Sequence, residues 1–208
     1  CLKDLLANLA TVTNGQTLTL GATNLAKVST ADILAAQLKG WKIDGATSTA
    51  VIFASDTDFT NTEATEVAIQ LSGSKRTERI TEVLAAYTSC ETIYVFEDGT
   101  VTSLVNLFSG VSGRYRAKIK NIIFLPGYFK NTTTFLSLLS GWTGPLEYVD
   151  MAGCITSKAT TVSSMFYNCT SLKTIDGLGS CDMSNVSDFS GMFKFCSSLT
   201  SLDVSNWN

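Results

Sequence analysis

The second half of the chain repeats two phrases at one fixed spacing. Residues 146–150 (LEYVD) recur at 172–176 (LKTID) and at 199–203 (LTSLD), so their leucines are 26 and 27 residues apart. Residues 165–169 (MFYNC) recur at 192–196 (MFKFC), again 27 residues later. Two phrases that keep the same period predict a stack of equivalent chain turns, because a period of this size is typical of solenoid proteins.

The period divides the chain into five coils, each predicted to contain a short helical segment, a turn and a strand. The predicted helical segments are 79–86, 103–109, 132–140, 160–167 and 186–195. The predicted strands are 91–96, 120–125, 146–151, 172–177 and 199–204. Adjacent apolar pairs occupy corresponding places: Leu107-Phe108, Leu138-Leu139, Met165-Phe166 and Met192-Phe193. One coil cannot bury such pairs without its neighbours, so they predict a stacked core.

Outward-facing strand positions form the candidate binding surface. If the strands are in register, Asp150, Asp176 and Asp203 form one column and Tyr148, Thr174 and Ser201 form the next. Carboxylates on strands about 4.8 Å apart repel one another unless something compensates. Two interpretations remain open: each aspartate accepts hydrogen bonds from its own turn, or the columns form a polar recognition surface.

Composition excludes several classes of function. The 208 residues contain no histidine, which rules out Ser-His-Asp and Cys-His catalysis within the chain. No glycine-rich phosphate loop or metal triad occurs, so we expect no enzyme activity and no cofactor. A net charge of -3 argues against a nucleic-acid partner, and the basic run 114–120 is interpreted as a solvated edge. No apolar stretch approaches the roughly 20 residues of a transmembrane helix.

The cysteines and one acidic loop are the candidates for metal binding. None of the six cysteines forms a CxxC pair, so no zinc site is expected. Cys169 and Cys196 hold equivalent positions, which predicts a buried column of thiols, with a disulfide framework as the alternative. The loop of Asp56, Asp58, Asn61, Glu63 and Glu66 is interpreted as solvated rather than as a calcium site, because it lacks the frame of an EF-hand.

The combined pattern M-F-x-x-C-x-S-L-x-x-[IL]-D at 165–176 and 192–203 resembles the BspA-like leucine-rich repeats of bacterial and phage-encoded surface proteins. The resemblance is close over 160–208 and weaker back to about residue 80. It implies an α/β leucine-rich-repeat-like solenoid with a parallel sheet. It also implies a non-enzymatic adhesion or recognition module at the cell surface, or on a virion, that binds protein or glycan on another surface.

The remaining sequence predicts two further segments. Residues 1–45 are predicted to form a cap or junction, with helices at 2–9 and 31–38 and strands at 17–20 and 41–43. Residues 46–78 are predicted to connect this cap to the solenoid at 79–208. The string TLTLGATNLAK, followed by a helix and KGW, resembles the segment that closes such solenoids at their C-terminal end.

This order of segments predicts head-to-tail stacking of copies or of repeats, as in an extracellular filament or a phage tail fibre, with plain truncation of a longer protein as the alternative. The predicted contact residues are Leu199, Leu202, Val204 and Trp207 on one face and Leu5, Leu6, Leu18 and Leu20 on the other. Solenoid ends expose core and strand edges, which is why they are covered in folded proteins.

Overall fold

The computed structural model describes residues 9, 17–19, 30–37, 39, 42–44, 50–52 and 63–207. The chain forms two compact units, Cys1–Thr49 and Ala50–Asn208. In the first unit, β1 (Thr17–Thr19) pairs in parallel with β2 (Lys42–Asp44), and α1 (Thr30–Gln37) lies between them in sequence. These elements confirm the strands and the second helix predicted there. The helix predicted at 2–9 lies outside the described residues except for Leu9.

The second unit contains a six-stranded sheet of parallel strands, which confirms the predicted parallel sheet of an α/β protein. Its strands are β3 (Ala50–Ile52), β4 (Glu66–Leu71), β5 (Thr92–Glu97), β6 (Asn121–Phe124), β7 (Tyr148–Asp150) and β8 (Thr174–Asp176). Each strand pairs with the next one along the chain, so the spatial order equals the sequence order. Helices are few: α2 (Arg76–Ala86), the four-residue α3 (Gly113–Arg116) and a 3-10 turn (Leu178–Ser180). We call the stretch from one strand to the next a layer.

The register of the strands is the one that the repeat predicts. Thr92 lies beside Asn121, Asn121 beside Tyr148, and Tyr148 beside Thr174. Two positions on, Tyr94, Ile123, Asp150 and Asp176 form the neighbouring column. Side chains alternate between the two faces of a strand, so the residues between these columns face the opposite way. They are Ile93, Ile122, Val149 and Ile175, and all four are buried.

A second line of parallel bridges runs through the turns that follow the strands. It joins Ser103, Thr134, Thr161 and Asp188. Each of these side chains accepts a hydrogen bond from the backbone N–H two residues later, at 2.9 to 3.3 Å. Short hydroxyl and carboxylate side chains favour such turns because they satisfy a backbone donor locally. The layers are therefore hydrogen-bonded to one another along two lines.

Four of the five predicted helical segments are wrong. Only 79–86 is helical, as part of α2, whose Ile80, Val83 and Leu84 are buried. Consecutive turns replace the other four helical segments, at 103–109, 132–140, 160–167 and 186–195. Left-handed backbone interrupts each of them, at Asn106, Ser137, Ser164 and Gly191, with φ between 52° and 66°. In the first three segments alternate N–H groups donate to carbonyls of the next layer, and in all four segments other N–H groups close turns to the carbonyl three residues earlier. The ladder to the carbonyl four residues earlier, which an α-helix requires, does not form.

The strand predicted at 199–204 is also absent from the structure. Side-chain hydrogen bonds are found there in place of the expected ladder. The hydroxyls of Ser197 and Ser198 donate to the Thr170 carbonyl, and Asp203 accepts from the N–H of Ser205 at 3.0 Å. The serines tie this segment to the turn at Thr170, and no backbone hydrogen bond joins it to β8, so Asp203 is not paired with Asp176.

The core lies between the sheet and the line of turns. It receives the inward strand residues and the adjacent apolar pairs, which are buried as predicted except for the half-buried Phe193. Fully burying one such side chain stabilises the fold by roughly 1.5–3 kcal/mol. Stacked layers thus share one core.

Candidate functional site

The polar columns meet on the outer face of β7 and β8, where Tyr148 and Asp150 lie beside Thr174 and Asp176. Tyr148 donates from its Oη to Oδ2 of Asp176 at 2.9 Å, across the two strands. Asp150 and Tyr148 are half-buried, whereas Thr174 and Asp176 are exposed. We call these four residues the Tyr-Asp face. A partner on this surface could bond to the carboxylate oxygens of Asp150 and Asp176 and contact the half-buried ring of Tyr148.

Burial tunes the two half-buried groups of this face. Burial raises the pKa of the Asp150 carboxyl, and the charge of Asp176 adds to the rise. The N–H of Ala152 donates to Asp150 Oδ1 at 2.7 Å and opposes the rise. Burial and the hydrogen bond to Asp176 raise the pKa of the Tyr148 phenol well above its usual range. At neutral pH Tyr148 is therefore a neutral donor that offsets part of the repulsion between the carboxylates.

The remaining members of the predicted columns are not on this face. Ser201 and Asp203 are exposed but lie in the segment that forms no strand. The N–H of Ser205 lowers the pKa of the Asp203 carboxyl, as expected for an aspartate bonded to its own turn. At the other end of the columns, Thr92 and Tyr94 are buried, so they offer no outer surface.

The predicted assembly residues differ in exposure. Leu199, Leu202 and Trp207 are half-buried against the core, and the side chain of Val204 is 38% exposed. In the first unit, Leu18 is half-buried in β1. Leu5, Leu6 and Leu20 lie outside the described residues. The sequence analysis missed Phe189 and Phe195, which are 39% and 56% exposed. The sequence did contain a sign of the exposed Phe195, because this phenylalanine stands where the preceding repeat has the polar Asn168.

A row of backbone donors accompanies these exposed aromatic residues. In the preceding layer the N–H groups of Val162, Ser164, Phe166 and Asn168 donate to carbonyls of the next layer at 2.8 to 3.0 Å. The equivalent groups, 27 residues later, belong to Phe189, Gly191, Phe193 and Phe195. Within residues 63–207 these four N–H groups have no backbone acceptor. We call them the donor row.

The cysteines form the predicted buried column. Cys169 and Cys196 donate from Sγ to the carbonyls of Leu139 and Phe166, at 3.2 and 2.9 Å. The five cysteines that the structure describes are free, so no disulfide framework forms among them. Burial raises the pKa of the Cys169 thiol to about 12. These thiols are therefore poor nucleophiles and act as small apolar groups.

The basic run 114–120 is only partly a solvated edge. Lys120 does form an exposed ion pair with Glu91 at 2.8 Å. Lys118, however, donates from Nζ to the carbonyls of Leu84 and Tyr87, at 3.2 and 2.8 Å, at the end of α2. A cation is favoured there because helix C-termini carry unpaired carbonyls. Arg116 packs over the ring of Trp142.

The structure also bears on metal binding and on membrane insertion. In the described part of the chain, no group of three or more Cys, Asp or Glu side chains is arranged to hold a metal ion. Asp56, Asp58 and Asn61 of the acidic loop lie outside that part. None of the described helices has the length and apolar character needed to cross a membrane.

Comparison with protein families gives one match. Residues 150–208 match the family described as "Mycoplasma protein of unknown function, DUF285". The match begins at Asp150, the last residue of β7, covers β8 and the turns that follow, and includes both copies of the M-F-x-x-C phrase. Comparisons with curated proteins and with solved structures find no match.

Proposed function

We propose that this protein is a non-enzymatic recognition module, a leucine-rich-repeat-like solenoid that acts on an extracellular surface and binds protein or glycan through the Tyr-Asp face. The observation that supports this function is the registered polar patch of Tyr148, Asp150 and Asp176 on a rigid parallel sheet. Repeat proteins commonly bind partners on such surfaces.

The test is binding of the purified protein to a glycan array and to immobilised extracellular-matrix proteins. The double variant Asp150→Asn/Asp176→Asn removes both charges of the face while keeping an oxygen that can accept the Ala152 and Tyr148 hydrogen bonds. Asp98→Asn/Asp182→Asn is the matched control, because it removes the same charge from two exposed turn residues elsewhere. We expect binding that the face variant loses and the control keeps. Equal binding by both variants, or none by the wild type, contradicts the proposal.

The donor row favours a second function, assembly of copies in a filament or fibre. The edge carries these four N–H donors and one carbonyl, that of Ser187, which is equivalent to the accepting carbonyls of Thr133 and Thr160. The donor row is therefore not complementary to the donor row of an identical edge. It pairs instead with a surface that presents carbonyls, as the back of every inner layer does. Contacts between unlike surfaces propagate as a filament unless they close into a ring.

Negative-stain electron microscopy across a concentration series tests this second function. Phe195→Asp places a charge beside the donor row, and Val105→Asp places one at another exposed apolar residue, whose side chain is 38% exposed. We expect filaments or rings with the wild type and with Val105→Asp, and dispersed particles with Phe195→Asp. Dispersed particles from all three proteins at the highest concentration would exclude assembly.

A further inference from the structure

The repeat departs from its pattern at residues 141–142, which read Gly-Trp instead of the Asn-Cys of 168–169. Gly141 keeps the backbone role of its equivalent, since its φ of 72° is close to the 57° of Asn168. The side chain at 142 does not keep its role. Cys169 and Cys196 each donate to a carbonyl of the preceding layer, whereas the indole Nε1 of Trp142 is buried with no hydrogen-bond partner among the described residues.

Trp142 lies at a pocket of about 170 Å³ that it lines with Arg116, Thr143 and three glycines. Its side chain is 1% exposed, and the Arg116 guanidinium lies 5.5 Å from the centre of its ring. Arg116 donates from Nη1 to the Gly141 carbonyl at 3.2 Å, but its Nε is a second buried donor with no partner in the described structure. Buried donors without acceptors are costly, and such groups in folded proteins call for an explanation.

The charge of Arg116 is also uncompensated locally. No carboxylate of the described residues lies within ion-pair distance of its guanidinium, whereas Lys120 and Lys173 are both paired. Partial burial lowers the pKa of Arg116, yet an arginine stays charged at neutral pH. The residues that line the pocket thus include a cation and carry two buried, unpaired N–H donors, and a ligand that satisfies them must bring acceptors and negative charge.

We propose that this pocket binds a small carboxylate, with the carboxylate oxygens accepting from Arg116 Nε and Trp142 Nε1. Arginine recognises carboxylates well because its planar guanidinium matches their geometry. The volume suits one compact acid, such as a uronic acid or the end of a peptide. The pocket shares no residue with the Tyr-Asp face or the donor row, so it stands or falls independently of the proposed function.

The test follows the Trp142 indole signal of the full chain by 1H–15N NMR during titration with sodium glucuronate and with N-acetylalanine. Glucose and N-acetylalanine amide are the uncharged counterparts, and sodium sulfate controls for anions in general. We expect a saturable shift with at least one carboxylate and none with its neutral counterpart or with sulfate. A response to one acid and not the other identifies the source of the carboxylate. No shift with either acid, or the same shift with sulfate or glucose, overturns the proposal.

Two variants locate the site. Arg116→Gln should weaken binding about tenfold or more, the effect expected from losing a charged hydrogen bond. Arg114→Gln, which removes the same charge from an exposed residue two positions away, should leave binding unchanged. Gly144→Ala keeps Arg116 and adds a methyl 3.6 Å from Trp142 Nε1, with no contact closer than 3.5 Å, so it should block the pocket in a folded protein. Unchanged binding in Gly144→Ala overturns the proposal even if Arg116→Gln fails to fold.

Discussion

Gly177 allows the packing between layers to be measured separately from backbone strain. It has a φ of +73°, and a Cβ added there would lie 2.2 Å from Cα and N of Ala152 in the preceding layer. Gly141 has a φ of +72°, but nothing lies within 4 Å of its added Cβ. Gly141→Ala therefore reports backbone strain, and Gly177→Ala reports the same strain plus the contact between layers.

The two substitutions should differ in the free energy of unfolding. Left-handed backbone costs an alanine about 1–2 kcal/mol, and the stiffer unfolded chain offsets about 0.4–1 kcal/mol of that. We expect Gly141→Ala to destabilise by roughly 1 kcal/mol. Gly177→Ala must also displace the backbone of Ala152, which adds roughly 1–3 kcal/mol of overpacking. Its total cost should be about 2–4 kcal/mol.

Urea unfolding monitored by circular dichroism measures both values, provided that the slope of stability with urea is the same in each variant. Equal destabilisation by the two variants, within about 0.5 kcal/mol, would refute the reasoning. It would mean that the chain at Gly177 does not approach Ala152 as closely as the stacked layers require.

Three other perturbations test separate features. Glu97 is buried and accepts from the N–H groups of Gly99 and Phe129. Glu97→Gln should lower the free energy of unfolding in urea by about 2–3 kcal/mol, because the amide loses at least one charged acceptor. An effect below about 0.5 kcal/mol would contradict this role. In alkylation of the native protein followed by peptide mapping, Cys196 should react before Cys154. Cys196 is half-buried, whereas Cys154 is buried and its pKa is raised far more by burial. The reverse order would show that reagent reaches the buried cysteines of the core. The pKa of Asp150 is raised, so its contribution to the free energy of unfolding is present at acid pH and declines as pH rises through its folded-state pKa. Asp150→Asn should remove that decline in a pH series of urea midpoints. An unchanged pH profile would count against the role of Asp150.

The sequence predicted the parts of the fold that depend on period and failed on those that depend on local backbone conformation. The period aligned Tyr148 with Thr174 and Asp150 with Asp176 because stacked layers repeat their register. The turns around Ser164 were predicted as helix because apolar pairs resemble one face of a helix. Two adjacent inward residues such as Met165-Phe166 in fact suit a turn that enters the core once, since a helix face needs spacings of three and four.

The candidate site divides in the same way. The Tyr-Asp face could be predicted because it lies on registered strands, whereas the burial of Tyr94 and the position of Asp203 depend on what covers each end of the columns. The pairing of Arg116 with Trp142 could not be predicted, because these two residues, 26 apart on different turns, belong to no shared motif.

Departures from a repeat carry information that the repeat itself does not. Stacking requires each layer to fill one position of the core, and cysteine at 169 and 196 does so with a thiol that finds an acceptor. Trp142 fills the same position with a larger ring, so volume by itself does not explain its choice over another apolar residue. Its N–H donor is left unpaired beside an unpaired donor of Arg116, an arrangement that costs stability in the free protein. Because this cost falls at residues that line a pocket, a ligand that supplies the acceptors recovers it, and the proposed carboxylate accounts for a donor that stacking alone does not need.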